Sequence, residues 1–278
     1  MVGRPKKITD STKKQIRSLI SANEHISSRG ISAALATGSP RREAIKVSAE
    51  TIRRNLVEMN YKHSTPLRVP KLTEKQKLRR VEWCKKHRKF DWNKVFFSDE
   101  TSIELDRCKL RQWHPKAKRP TKATPKYSSK RMFWSAISAT RTCSLVPVTG
   151  TLNSQGYIEL LGTHLLPWLA ENRLQQHYFQ QDNASCHVSR LSQAFFRDKE
   201  LKILDWPANS PDLNPIENIW GILKDAVEKR APKTLAELEA FAIDEWGKIP
   251  LQIIRNTIAS MPRRINQVLD RGGEKCDY

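Results

Sequence analysis

The sequence contains no apolar run approaching the roughly 18 residues that cross a bilayer, and its first 30 residues lack the apolar centre of a secretory signal. An intracellular chain is therefore expected. Cysteine is scarce as well: five residues, at 84, 108, 143, 186 and 276, odd in number and without a Cys-x-x-Cys pair. That pattern argues against a disulfide framework. Cys84-x-x-His87 and Cys186-His187 leave the four-ligand set of a structural zinc site incomplete. No internal repeat is visible.

The other scarcity is acid. Fifty Lys and Arg face 29 Asp and Glu, a net charge of +21. The imbalance is local: residues 1–90 hold 23 basic and 7 acidic side chains, and Arg107–Arg131 holds ten basic ones and no acid. Residues 132–278, with 16 basic and 17 acidic, are balanced. A basic arm and a basic loop beside a balanced remainder imply a polyanionic partner, most simply nucleic acid. No lipidation signal or long amphipathic basic helix accompanies the charge, so no membrane partner is expected. With 38% hydrophobic residues, eight Trp and eight Phe among them, the chain can bury a true core.

The first segment reads as three short helices. Thr9 can cap one that carries Ile16, Leu19 and Ile20, and Ser27 or Ser28 can open a second with Ile31, Ala34 and Leu35 inward. Ser48 can cap a third, in which Ile52, Leu56 and Met59 form a stripe that leaves Thr51, Arg53, Arg54 and Asn55 outward. Three such helices resemble a helix-turn-helix whose last helix enters the major groove. An ordinary solvated face explains Arg53 and Arg54 equally well on this helix alone. Ahead of it, Gly3-Arg4-Pro5-Lys6-Lys7 is extended and slim enough to enter an A·T minor groove; a plain basic terminus or a nuclear import signal fits the same residues. Pro66 and Pro70 mark a linker, which divides the chain into residues 1–70 and 71–278.

Thr73 with Gln76 predicts a capping box for a helix running to about His87. After Trp92, strands are expected at Val95–Phe97, Met132–Ile137, Leu145–Val148, Tyr178–Phe179 and Leu201–Leu204. Helices are expected at Tyr157–Leu169, from Asn214 to about Lys229, near 234–247 and over 251–269. The alternation predicts an α/β sheet with some parallel pairing. Trp134, Trp206 and Trp220 are expected in the core. The segment Arg107–Arg131 fits a DNA-tracking hairpin or a solvated basic loop.

Two strand-like runs deliver an acid at their ends, Phe96-Phe97-Ser98-Asp99 and Phe179-Gln180-Gln181-Asp182. Ligands of open α/β sheets bind beyond the carboxyl ends of the strands, where neighbouring aspartates can converge. Glu217 follows Asn214-Pro215 at a helix start. Three hard oxygen ligands suit Mg²⁺, and a pair of such ions suits phosphodiester attack. Each acid also has a plainer reading: Asp99 and Asp182 as strand ends, Glu217 as part of a capping box with Asn214 as N-cap.

The wording around these acids is more specific. Phe97-Ser98-Asp99-Glu100, then Phe179-Gln180-Gln181-Asp182-Asn183, then Asp205-Trp206-Pro207-Ala208-Asn209-Ser210-Pro211-Asp212-Leu213-Asn214-Pro215-Ile216-Glu217-Asn218 resemble the mariner superfamily of cut-and-paste DNA transposases. Thirty-four residues separate Asp182 from Glu217, the spacing of its nematode Tc-like branch. The resemblance continues through Trp220-Gly221 and Ser260-Met261-Pro262-Arg263-Arg264.

It implies a ribonuclease-H-like catalytic domain, a mixed sheet flanked by helices, preceded by a small all-α helix-turn-helix domain. It implies Asp99, Asp182 and Glu217 as catalytic Mg²⁺ ligands, with two ions expected and Mn²⁺ able to substitute. The implied reaction is nicking at terminal inverted repeats, then attack of the freed 3′-hydroxyl on a target, TA in this superfamily. Double-stranded DNA is the implied partner, with Arg4, Lys6, Lys7, Thr51, Arg53 and Arg54 as candidate contacts. The nucleus is the implied compartment.

His187 follows Asp182 at a spacing seen in relatives, with packing or hydrogen bonding as its expected role. Relatives carry two helix-turn-helix modules joined by a Gly-Arg-Pro-Arg-like tract. This sequence begins at about that tract, so only the second module is expected, in a largely monomeric protein with at most a transient homodimer on DNA. The rival readings are a transposon-derived DNA-binding protein that no longer cuts and a host nuclease on the same fold.

Overall fold

A computed structural model describes residues 8–23, 25–37, 44–63, 71–105 and 129–277. Arg4, Lys6 and Lys7, and residues 107–128 of the basic segment, lie outside the described residues. The chain divides into two compact units, Met1–Val69 and Pro70–Tyr278.

In the first unit three helices surround a small apolar core: α1 (Asp10–Ala22), α2 (Ser28–Thr37) and α3 (Ala49–Glu58). Thr9 and Ser48 accept backbone N–H bonds at the starts of α1 and α3, satisfying donors that a helix end leaves open. Ser27 does the same at α2, accepting from the Gly30 N–H at 3.1 Å. Ile16, Ile31, Leu35 and Ile52 are buried together, with Leu19, Ile20 and Leu56 packed at the edge. Ser32 Oγ donates to the Val47 carbonyl at 2.6 Å, which pins the approach to α3 onto α2. The third helix therefore keeps Ile52 inward and turns Arg53 and Arg54 to solvent.

The second unit opens with α4 (Glu74–Lys86), closed by the Thr73–Gln76 capping box. Five strands follow in the order β3-β2-β1-β4-β5: β1 (Val95–Glu104), β2 (Lys130–Ile137), β3 (Val146–Val148), β4 (Tyr178–Gln180) and β5 (Lys202–Ile203). The β3-β2-β1 side is antiparallel and the β1-β4-β5 side parallel. The sheet is thus mixed, as the alternating texture predicts, and its two faces feed two cores. Because side chains alternate along a strand, Val95, Phe97 and Ile103 of β1 enter one core with α4, α8 (Ile216–Arg230), α9 (Leu235–Gly247), α10 (Leu251–Ala259) and α11 (Met261–Asp270). Phe96 enters the other, with α5 (Ser154–Leu160), α6 (Leu166–Glu171) and α7 (Arg190–Asp198). Trp134, Trp206 and Trp220 are buried, as expected.

Several elements differ from expectation. The helix expected over Tyr157–Leu169 starts earlier, under an Asn153 cap, and its middle is a π-helical stretch, Leu161–Leu165. The helix expected over 251–269 is two helices broken at Ser260, where Pro262 lies in the first turn of α11. Helix α7, capped by Ser189 and burying Ser192 and Phe196, has no counterpart in the expectation. Near the C-terminus Gly273 takes φ +92°, and a Cβ there would lie 2.3 Å from the Lys77 carbonyl oxygen. A glycine is what lets this segment lie against α4.

Candidate active site

Strand β1 supplies the first acid. Asp99 sits in the middle of β1, not at its end as expected, because antiparallel pairing with β2 continues to Glu104. Parallel pairing aligns Phe97 with Gln180, so the same register carried two residues on brings Asp182 level with Asp99. Ser98 Oγ donates to the Gln180 carbonyl at 3.0 Å and locks that register. The third acid comes from the first turn of α8. Asn214 ties this turn to β1, its Nδ2 donating to the Ser98 carbonyl at 3.2 Å. The plainer reading of Glu217 as part of a capping box does not hold: Pro215 is the N-cap without a side-chain cap bond, and Asn214 Oδ1 accepts from the Ile216 N–H at 3.3 Å.

Asp99, Asp182 and Glu217 line one cleft of about 400 Å³, floored by Trp206, Asn214 and Asn183. Asp99 and Glu217 interact side chain to side chain, and Asp182 is close enough for its charge to raise both of their pKa values; among the described residues no three His, Cys, Asp or Glu side chains already stand in a metal-holding group. Burial raises the pKa of Asp99 well above the ordinary aspartate range, and the nearby Glu217 and Glu100 charges raise it further. Burial also raises that of Glu217, against the pull of Lys224. Trp220 does more than fill the core, since its indole N–H donates to Asp99 Oδ2 at 3.2 Å.

Asp182 behaves differently. Partial desolvation of this half-exposed carboxylate favours its neutral form, yet a hydrogen bond from His187 and one from the Ala184 N–H outweigh that and lower its pKa. His187 Nδ1 lies 2.7 Å from Asp182 Oδ1, and its Nε2 lies 3.4 Å from Glu100 Oε1. Burial alone would depress the imidazole; the two carboxylates reverse this and hold it at about 10. Its ring rests on Tyr157, centroids 4.2 Å apart. The parity of β1 explains this arrangement: Asp99 faces α8, and Glu100, one residue on, faces α5 and His187.

The segment that carries Glu217 is fixed from below by a buried ionic cluster. Arg80 of α4 donates to both carboxylate oxygens of Asp212, at 3.0 and 2.6 Å, and to Ser210 Oγ at 2.6 Å. Its Nε reaches the Gly273 carbonyl at 2.9 Å. Arg264 of α11 donates to the Asp212 carbonyl at 2.8 Å and to Asn218 Oδ1 at 2.6 Å. Sequence reasoning did not mark Arg80, Asp212, Arg264, Glu100 or Trp220 as site residues. The family-like motifs contain all of them except Arg80, and only folding shows what each touches.

The remaining candidates fall elsewhere. His87 stacks on Trp83 and bonds its carbonyl at 2.9 Å, while burial pushes the Cys84 thiol up to about 12, an inert pair. On α3, Thr51 is half-buried with its hydroxyl 2.9 Å from Ser48 Oγ. Arg53 is exposed but makes a two-point bond to Glu50, at 2.9 and 2.8 Å, and Arg54 lies 3.9 Å from the same acid.

Comparison with known proteins places this geometry. Residues 94–239, just over half of the chain, match a family described as DDE superfamily endonuclease, and residues 13–89 match a helix-turn-helix family described as Transposase. The Tc3 transposase of Caenorhabditis elegans is 34% identical over 221 residues, covering 75% of this chain and 65% of that protein. The chain thus spans slightly less than two thirds of that relative. The Tcb1 transposase of Caenorhabditis briggsae is 31% identical over 248 residues, 83% of this chain and 88% of that protein. Among solved structures, a Mos1 transposase paired-end complex with the left transposon end superposes with a TM-score of 0.74 at 18% identity, over all of this chain and 82% of that one. A Mos1 mariner paired-end complex with Mn gives 0.73 at the same identity and coverage. These last two show likeness of fold.

Proposed function

Since the chain belongs to the Tc1/mariner transposases of the DDE superfamily, we propose that it is itself a DNA transposase that cuts at terminal inverted repeats and joins the freed 3′-hydroxyl to a TA target. One observation carries the reading: Asp99, Asp182 and Glu217, from three separate elements, meet at a single open cleft. The donor set fits Mg²⁺, or Mn²⁺ in its place, because it consists of carboxylate oxygens without thiols and leaves room for water and phosphate. The raised pKa values of Asp99 and Glu217 fit it too, since crowded buried carboxylates are the groups a cation would relieve. Asp99, Asp182 and Glu217 would hold the metal, two ions in all. Bound there, it would activate the attacking oxygen and stabilise the leaving one.

The chain's own residues do the rest. Trp220 orients Asp99, Asn214 fixes the start of α8 against β1, and Arg80 with Arg264 immobilises the segment leading to Glu217. The three-helix unit supplies DNA binding, with Thr51, Arg53 and Arg54 on the presented helix and Arg4, Lys6 and Lys7 ahead of it. Double-stranded DNA in the nucleus is the partner, with a transient homodimer forming on it.

A plasmid carrying the inverted repeats that flank the element tests the reading. Mg²⁺-dependent cleavage is expected from the native chain. Asp99→Ala, Asp182→Ala and Glu217→Ala should each abolish it while retaining binding to the repeats. Substantial cleavage by any one variant removes that residue from the mechanism, and binding without cleavage by the native chain leaves a DNA-binding protein.

A further inference from the structure

Glu100 follows Asp99 directly but points to the opposite face of β1, away from the Asp99–Glu217 pair, and the chemistry above does not use it. It is half-buried, and its Oε1 has no hydrogen-bond partner. The atom it faces, at 3.4 Å, is His187 Nε2, which is buried and likewise without a hydrogen bond. The other ring nitrogen of His187 is 2.7 Å from Asp182 Oδ1. The same Oδ1 accepts the Ala184 N–H at 2.9 Å. One oxygen of Asp182 is therefore held twice, and Oδ2 has no hydrogen-bond partner among the described residues. Tyr157 packs its ring against the imidazole at a tilt of 35°, and its hydroxyl is anchored on Gln181 Oε1 at 2.6 Å.

We propose that His187, backed by Glu100, is a positioning residue that fixes Asp182 Oδ1 and so leaves Oδ2 as the oxygen offered to a divalent cation in the cleft. This rests on the cleft being the metal site proposed above. Asp182 lies beyond the end of β4, where no ladder hydrogen bond restrains it, and its side chain is 57% exposed. A carboxylate on such a segment rotates freely unless a neighbour takes one oxygen, and partners of this kind commonly set ligand orientation and metal affinity. The ring reaches Asp182 through one nitrogen and Glu100 through the other, so a buried imidazole ties the segment after β4 to β1.

Calorimetric titration of the full chain with Mn²⁺ in the absence of DNA tests this, together with the melting temperature without metal, which reports packing alone. His187→Ala should weaken Mn²⁺ binding by about 10–100-fold, the usual loss when such a partner is removed. His187→Asn, which can still present an N–H to Asp182, should recover part of that loss. Glu100→Gln, a change of nearly the same shape, should weaken binding in the same direction by less, with little change in melting temperature. If Asp182→Ala weakens Mn²⁺ binding while His187→Ala and Glu100→Gln both bind as the native chain does, the positioning role is overturned and the metal site stands. If the native chain and Asp182→Ala take up Mn²⁺ equally, or neither does, the metal reading of the cleft falls and takes this inference with it.

Discussion

On α3, Arg53 and Arg54 share a single acid, Glu50, and all three side chains are more than half exposed. In the C-terminal unit, Arg80 and Asp212 are fully buried and use nearly every donor and acceptor they have. Both are arginine–carboxylate contacts with two parallel bonds. They differ in what surrounds them, and that sets what each can do. A solvent-exposed pair is weak and salt-sensitive, so Arg53 can exchange Glu50 for a phosphate at little cost. A buried pair cannot open without stranding a charge, so Arg80 and Asp212 are fit to hold geometry and unfit to bind anything new. The surface proposed to meet DNA keeps its charges replaceable, and the segment leading to Glu217 keeps them fixed.

The largest effect should come from removing one partner of the fixed pair. Asp212→Ala leaves the Arg80 guanidinium buried without its counter-charge, and breaking such a pair costs about 3–5 kcal/mol. Urea unfolding of the C-terminal unit should show a loss of that size. Binding of duplex DNA through the separate three-helix unit should survive. Equal stability of Asp212→Ala and the native chain would mean that the cluster is not the anchor its hydrogen bonds suggest.

A smaller effect is expected at Gly273. Alanine there would place Cβ 2.3 Å from the Lys77 carbonyl oxygen and force a side chain into φ +92°. Strain of this kind costs about 1–3 kcal/mol, and each kcal/mol lowers the melting temperature of a unit this size by about 2–4 °C. An unchanged melting temperature would show that the C-terminal segment does not pack tightly on α4.

What the sequence disclosed divides along the same line. Local chemistry was legible: Thr73 and Gln76 cap α4 as their spacing requires, and Ser48 with Ile52 and Leu56 predicts α3 and its outward face. Short apolar runs predicted β1 through β5, and the three acids were legible as a set through the family-like wording around them. The parts that depend on distant partners were not. Asp99 lies mid-strand because β2 continues alongside it, and β2 is separated from β1 by a long stretch of chain. The Arg80–Asp212–Arg264 cluster joins helices from opposite ends of the C-terminal unit, with Arg80 and Asp212 more than a hundred positions apart. Glu100 and His187 meet only because β1 and the turn after β4 are neighbours. Arg53 was legible as exposed, but its bond to Glu50, three residues back on the same helix, was not.

That bond frames a third prediction. Replacing Arg53 and Arg54 together by alanine should weaken duplex binding and flatten its dependence on salt, by about 0.9 in the log–log slope for each phosphate no longer neutralised. Fluorescence anisotropy over a range of salt concentrations measures both. A slope identical to that of the native chain would place the DNA-binding cations elsewhere than on α3.

The smallest effect is the most discriminating. Glu50 competes with phosphate for Arg53, so Glu50→Gln should free the guanidinium and tighten duplex binding, by no more than about fivefold given what exposed pairs are worth. The gain should vanish as salt rises, because the same screening weakens both the competing pair and the attraction to phosphate. Acid is no substitute for the mutation: the Arg53 hydrogen bond already holds the Glu50 carboxyl below the usual glutamate range, so it stays ionised throughout neutral and mildly acidic conditions. The opposite outcome is equally informative. If Glu50→Gln weakens binding at every salt concentration, Glu50 is aiming Arg53 at the groove and not restraining it, and the exposed pair on α3 is then a positioning device like the buried one.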